Sequence, residues 1–138
     1  MKYIDKQKYA CCQLIAAFNA LIFFREEAPD LDSEAFEILA DIAKCKHGGA
    51  LNIEEIHKIL GLIHENGWWS LEWITNNLPV EMSVWHDKVG YHSILIVAVK
   101  GDKLRIANFT KKKWWKYGDL IKCCFVNGNT RCRAFKML

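Results

Sequence analysis

The chain has 138 residues, 51% of them hydrophobic, and its 19 Lys and Arg against 16 Asp and Glu leave a net charge of only +3. One real core fits that length and two ordinary domains do not, so a single domain over 1–138 is expected. The near balance of charge excludes any composition that demands a nucleic-acid partner.

The chain opens on the polar stretch MKYIDKQKY, which lacks a signal peptide's early apolar segment and small-residue cleavage site. The apolar run Ala10 to Phe24 contains Gln13 and Asn19, and at about fifteen residues it is short of the roughly twenty that cross a bilayer. It predicts a core helix from Cys11 to Arg25, and a cytoplasmic chain without a membrane segment. A second helix is expected over Ser33 to Lys44, capped by Asp32 or Ser33, with Phe36, Leu39, Ala40 and Ala43 apolar and Gly48-Gly49 after it. A third is expected from Asn52 to Ile63, stopped by Asn66-Gly67, and a short fourth over Ser70 to Asn76. After Pro79 the pattern changes to strands at Val80–Trp85, Tyr91–Val99, Lys103–Phe109, Leu120–Val126 and Arg131–Phe135, divided by Gly, Asp and Asn turn signals. Helices first and strands afterwards predict an α+β domain with the first helix packed on an antiparallel sheet.

Six cysteines (Cys11, Cys12, Cys45, Cys123, Cys124 and Cys132) include two adjacent pairs, and with no export signal they are expected as free thiols. Zinc is the competing use for Cys123, Cys124 and Cys132 with a histidine, but there is no C-x-x-C and the spacing fits no common site, so no metal or cofactor is expected.

A nucleophilic cysteine acts as its thiolate, which a helix N-terminus and a nearby imidazolium favour. Cys12 stands where the first helix begins, and Cys11 has almost the same claim. Of His47, His57, His64, His86 and His92, only His92 opens a long apolar strand, and Asn108 ends the next strand sixteen residues later. A two-residue turn at Gly101-Asp102 would set Asn108 opposite Leu95 and send it and His92 to opposite faces, so a shared site requires an odd loop or a bulge near Gly101. Gln7 is the only upstream side-chain amide near Cys12 that could help its N–H stabilise an oxyanion.

The segments QKYACCQLIAAFNAL (7–21) and GYHSILIVAVKGDKLRIAN (90–108), with the His92-to-Asn108 interval, resemble the bacterial C39-like peptidases, which are papain-like cysteine peptidases. The resemblance implies the α+β papain-like fold, nucleophile Cys12, base His92, orienting Asn108 and oxyanion-hole Gln7, acting on a peptide or protein substrate. Gln13 stands where the family usually has Gly after the nucleophile, and the interval from Gln7 to Cys12 is one residue shorter than the commonest. Hydrolysis of a peptide or isopeptide bond through a thioester is the expected activity. The alternatives are an acyl or peptidyl transferase using the same thioester, and a catalytically inactive binding module on the same fold, for example a phage or mobile-element protein capturing a host factor. The run Lys111 to Lys116, cations mixed with Trp114 and Trp115, is the one stretch suited to single-stranded nucleic acid or an acidic peptide, though a solvated turn with core tryptophans accounts for it as well. Trp68, Trp69, Trp73 and Trp85 would line a substrate groove or fill the core.

Overall fold

The computed structural model describes residues 3–5, 12–25, 34–43, 52–86, 90–124 and 132–138. Helices α1 (Cys12–Arg25), α2 (Glu34–Ala43) and α3 (Ile53–Ile59) come first, then strand β1 (Leu62–Gly67) and helix α4 (Leu71–Asn76). Strands β2 (Val80–His86), β3 (Gly90–Lys100), β4 (Lys103–Ala107) and β5 (Trp114–Lys116), helix α5 (Tyr117–Cys124) and strand β6 (Cys132–Met137) follow. The six strands form one sheet in the order β1-β6-β2-β3-β4-β5, with every neighbouring pair antiparallel. The expected α+β architecture, with an apolar first helix on an antiparallel sheet, is the one observed.

α1 is apolar nearly all round because it is covered on two sides. Ala16, Ala17 and Ala20 lie against Leu95 and Val97 of β3, where small side chains let the helix approach the sheet. Leu14, Ile15 and Phe18 meet Ile53 and Ile56 of α3. The other face of the sheet carries Val80, Met82, Val84, Ile94, Ile96, Leu104 and Ile106, closed over by Ile74 of α4 and Leu120 of α5. Asn19, fully buried in α1, is satisfied by the main chain of Ile4, which donates to its Oδ1 at 2.8 Å and accepts from its Nδ2 at 3.1 Å. A buried amide bonded at both ends costs little and fixes where the N-terminal segment lies.

Two expected elements are corrected. The third helix ends at Ile59 because Gly61 turns the chain at φ 73°, and Leu62–Gly67 becomes a strand paired with β6. Only that pairing, with a strand some seventy residues away, distinguishes it from more helix. Gly67 is required there, since a Cβ would stand 1.7 Å from the Trp73 ring. The expected strand from Leu120 is helix α5: Tyr117, Leu120 and Ile121 recur at helical spacing and all pack on the core, so the period is 3.6 and not 2. Strand β5, not foreseen, puts Trp115 in the core and leaves Trp114 exposed. The expected caps at Asp32 and Ser33, and Gly48-Gly49, lie outside the described residues.

Candidate functional site

The β3–β4 hairpin decides what meets what. Its turn has the two residues Gly101 and Asp102, with Lys100 opposite Lys103, which alone would separate His92 from Asn108. Between Ile96 and Ala98 the register shifts by one, making Val97 the extra residue of a bulge. Beyond it Leu95 faces Ala107, so the next position along β4, Asn108, comes round to the side of Ile94 and His92. The irregularity that a shared site needs is therefore present, within β3 and not in the loop.

β4 stops at Ala107, and Asn108 turns away with φ 57°, a left-handed conformation that asparagine tolerates better than most residues. Its main-chain carbonyl forms a hydrogen bond with Nε2 of His92. A carbonyl only accepts, so Nε2 carries the proton and Nδ1 of the neutral ring is the basic nitrogen. The imidazole also stacks on Phe109, with ring centroids 6.2 Å apart and planes 18° apart.

Where β4 has left the sheet, the Ser93 N–H donates to Cys12 Sγ at 3.3 Å. Ser93 N is two bonds from the His92 Cα, so the sulfur lies within about 6 Å of that Cα, inside the reach of an imidazole. Cys12 is the first residue of α1, and the dipole at the start of a helix favours negative charge there. The structure thus gathers Cys12, His92 and Asn108 at the end of β3. Strand alternation points His92 away from the α1 face, towards Phe109. Gln7 and Cys11 lie outside the described residues.

The electrostatics favour a neutral resting pair. Burial pushes the Cys12 thiol up, against hydrogen bonds from Ser93 and Gln13 that pull it down, and the Glu81 carboxylate adds to the upward push. Burial also holds His92 below the usual histidine value, opposed by its bond to Asn108. At neutral pH both directions leave the thiol as SH and the ring uncharged.

Two nearby acids were not singled out from the sequence. Asp5 accepts the Asn108 N–H at 3.0 Å, pairs with Arg105 at 3.0 Å and lies 3.3 Å from Lys113. Burial pushes its carboxyl up, but Arg105, the Asn108 N–H and Lys113 outweigh that and hold it below the ordinary value. Glu81 on β2 is buried on the α1 face, 3.8 Å from Arg133, with Oε2 unbonded among the described residues, and burial pushes it up to about 7. Nothing in the local sequence around Asp5 marks it, because its partners are about a hundred residues away. Glu81 carries a visible signal: it is a charge within a strand whose neighbours Val80, Met82 and Val84 are core.

The remaining candidates have structural roles. Lys113 is held by Asp5, Lys112 lies 4.8 Å over the Trp115 ring, and Trp115 Nε1 donates to the Lys112 carbonyl at 3.0 Å, so this part of the basic run is folded onto the edge of the sheet. Trp69 stacks between Trp68 and Tyr117, and with Trp73 packs on the core, while Trp68 is exposed. Among the described residues no three His, Cys, Asp or Glu side chains are placed to hold a metal, and burial pushes the Cys132 thiol up to about 12. No described helix is long and apolar enough to cross a membrane.

No family model matches the chain, and no curated protein matches it in sequence. Solved structures do match in fold. The peptidase domain of Streptococcus ComA, a bi-functional ABC transporter involved in a quorum-sensing pathway, superposes with a TM-score of 0.71 at 12% identity, over 99% of this chain and 98% of that one. A double-glycine-motif protease from an AMS/PCAT transporter, solved with its leader peptide, gives 0.67 at 15% identity over 99% and 91%. The N-terminal peptidase C39-like domain of a toxin secretion ATP-binding protein from Vibrio parahaemolyticus gives 0.56 at 14% over 89% and 97%. Across almost its whole length, this chain has the papain-like fold of the C39 peptidase domains.

Proposed function

We propose that this protein is a cysteine peptidase-like hydrolase of the cytoplasm, a single domain over 1–138, that cleaves a peptide or isopeptide bond with Cys12 as nucleophile, His92 as base, Asn108 as its orienting partner and Gln7 with the Cys12 N–H at the oxyanion. The observation that carries this is the junction at the end of β3: Cys12 Sγ on the Ser93 N–H, one residue along the strand from His92, whose Nε2 is tied to the Asn108 carbonyl. The fold supports it. In this scheme the Nδ1 of His92 takes the thiol proton as sulfur attacks the carbonyl, the proton passes to the leaving amine, and water, activated by the same nitrogen, releases the acyl group from the thioester. Because thiol and ring are both neutral at rest, proton transfer accompanies the attack instead of preceding it. The leader peptide held by the double-glycine-motif protease is the natural guide to the class of substrate.

A peptide fluoromethyl ketone ending in Gly-Gly tests this directly. Peptide mass spectrometry should find the adduct on Cys12 in the wild type, and find it forming there far more slowly in His92→Ala. Adduct on Cys11 would move the nucleophile by one residue. Binding of the peptide without adduct would instead favour a non-catalytic module, which the buried, upward-shifted Cys12 thiol and the Gln13 in place of glycine also suit.

A further inference from the structure

Residues 3–5 cross from α1 to the end of β4 and touch both halves of the site. The Ile4 main chain is stapled to the Asn19 side-chain amide of α1 by two hydrogen bonds, and Tyr3 lies under the Arg105 guanidinium at 5.6 Å. Asp5 follows, one oxygen on the Asn108 N–H at 3.0 Å and the other on Arg105 Nη2 at 3.0 Å, with a further Arg105 contact at 3.3 Å and Lys113 at 3.3 Å. Asn108 sits in a left-handed conformation just past the last residue of β4. Its N–H goes to Asp5, and its carbonyl goes to His92.

From this geometry we infer that Asp5 is a positioning residue of the site: by gripping the N–H of Asn108 it aims the Asn108 carbonyl at His92 Nε2 and so fixes which imidazole nitrogen is the base. The inference rests on the role proposed for His92. A bidentate guanidinium and a lysine hold the Asp5 carboxylate charged and in place, which makes it a rigid anchor and not a passing surface contact. The chain of support runs from α1 through Asn19 and Ile4 to Asp5, then through Asn108 to the ring. The helix that carries the nucleophile is thereby linked, through Ile4 and Asp5, to the group that orients His92.

The test reads His92 itself. In 15N-labelled protein the imidazole nitrogen shifts of His92 report tautomer and titration without reference to any substrate. The wild type should show protonated Nε2 and unprotonated Nδ1 at neutral pH, whereas Asp5→Asn should show a mixture of tautomers and a displaced His92 titration. Adduct formation by the Gly-Gly fluoromethyl ketone should slow at least about tenfold in Asp5→Asn, yet change little when the same substitution is made on the His92→Ala background, the non-additivity of groups acting through one another. His92 nitrogen shifts unaltered in Asp5→Asn, or an equal factor lost on both backgrounds, would overturn the inference. Should His92→Ala itself leave adduct formation intact, the hydrolase proposal fails, while the nitrogen shifts still decide whether Asp5 governs the ring. If Asp5→Asn does not fold, Arg105→Lys, which keeps the charge and breaks the paired grip, gives the same two readouts.

Discussion

Two histidines lie beside the sheet, and burial pushes both downward, yet they are held in opposite ways. His57 of α3 is 2% exposed, packed edge-on against Phe135 and His64 with ring centroids 5.0 and 5.4 Å away, and neither of its ring nitrogens has a hydrogen-bond partner among the described residues. Desolvation, helped by His64 and Arg133, takes it down to about 4. His92 has one nitrogen tied to a carbonyl and one flat side against Phe109. The difference teaches that a depressed imidazole is not by itself a base in waiting. His57 is used as an aromatic filler whose polar atoms are a cost, whereas in His92 the fixed nitrogen defines the other as the one available for chemistry.

Exchanging the two roles by mutation is the sharpest way to break that comparison. His92→Ala should slow cleavage of a Gly-Gly peptide at least about 10³-fold, roughly 4 kcal/mol of transition-state stabilisation, while His57→Leu should leave the rate unchanged. Turnover kinetics on purified variants decides it, and a comparable loss in His57→Leu would show that the two sites are coupled.

Stability against pH separates them next. His57 has a depressed folded value, so its contribution is present above the ordinary 6.5 and is lost as pH falls towards about 4. Glu81 has a raised folded value, so its contribution is present below 4.5 and is lost as pH rises through about 7. Between about pH 4.5 and 6.5 the two slopes oppose each other, each amounting to about 3 kcal/mol over its full span. Urea denaturation should therefore find the two variants tilting in opposite senses from the wild type across that window. His57→Leu should become less stable as pH rises, and Glu81→Gln more stable, with the two profiles crossing. Parallel profiles would mean that one of the pair does not titrate as its burial dictates.

Much of this arrangement was legible in the residues themselves. An apolar run broken only by Gln13 and Asn19 announced α1, and the alternation after Pro79 announced β2, β3 and β4. The interval from His92 to Asn108 was informative because a hairpin register makes it testable: a two-residue turn alone separates the residues, so a shared site required an odd loop or a bulge near Gly101, and the bulge is at Val97. Strand β1 was hidden because Leu62 to Gly67 is strand-like only in the company of β6. α5 was misjudged because a short apolar run fits either period, and only the burial of Leu120 beside Tyr117 and Ile121 reveals the helical one. In the site, the atom of Asn108 that meets His92 is its main-chain carbonyl, presented by a left-handed turn that the identity of the residue alone does not reveal. Asp5 was invisible for a different reason, since its importance comes entirely from partners at positions 105, 108 and 113.

The smallest expected effect connects the buried acid to the nucleophile. Glu81 and Ser93 lie diagonally on the α1 face, because Glu81 pairs with Leu95 and Ser83 with Ser93, and Cys12 rests on Ser93. Below about pH 7 Glu81 is protonated and exerts no charge on the sulfur. Above it, the carboxylate opposes formation of the thiolate, and Arg133, 3.8 Å away, offsets it only in part. Glu81→Gln keeps the shape and removes that opposition, so adduct formation at Cys12 should rise a few-fold at pH 8 and hardly at all at pH 6, measured with the same fluoromethyl ketone. A gain of equal size at both pH values would point to a change in packing beneath α1. No gain at either would place the Glu81 carboxylate too far from the sulfur to matter, and the upward shift of Cys12 would then belong to burial alone.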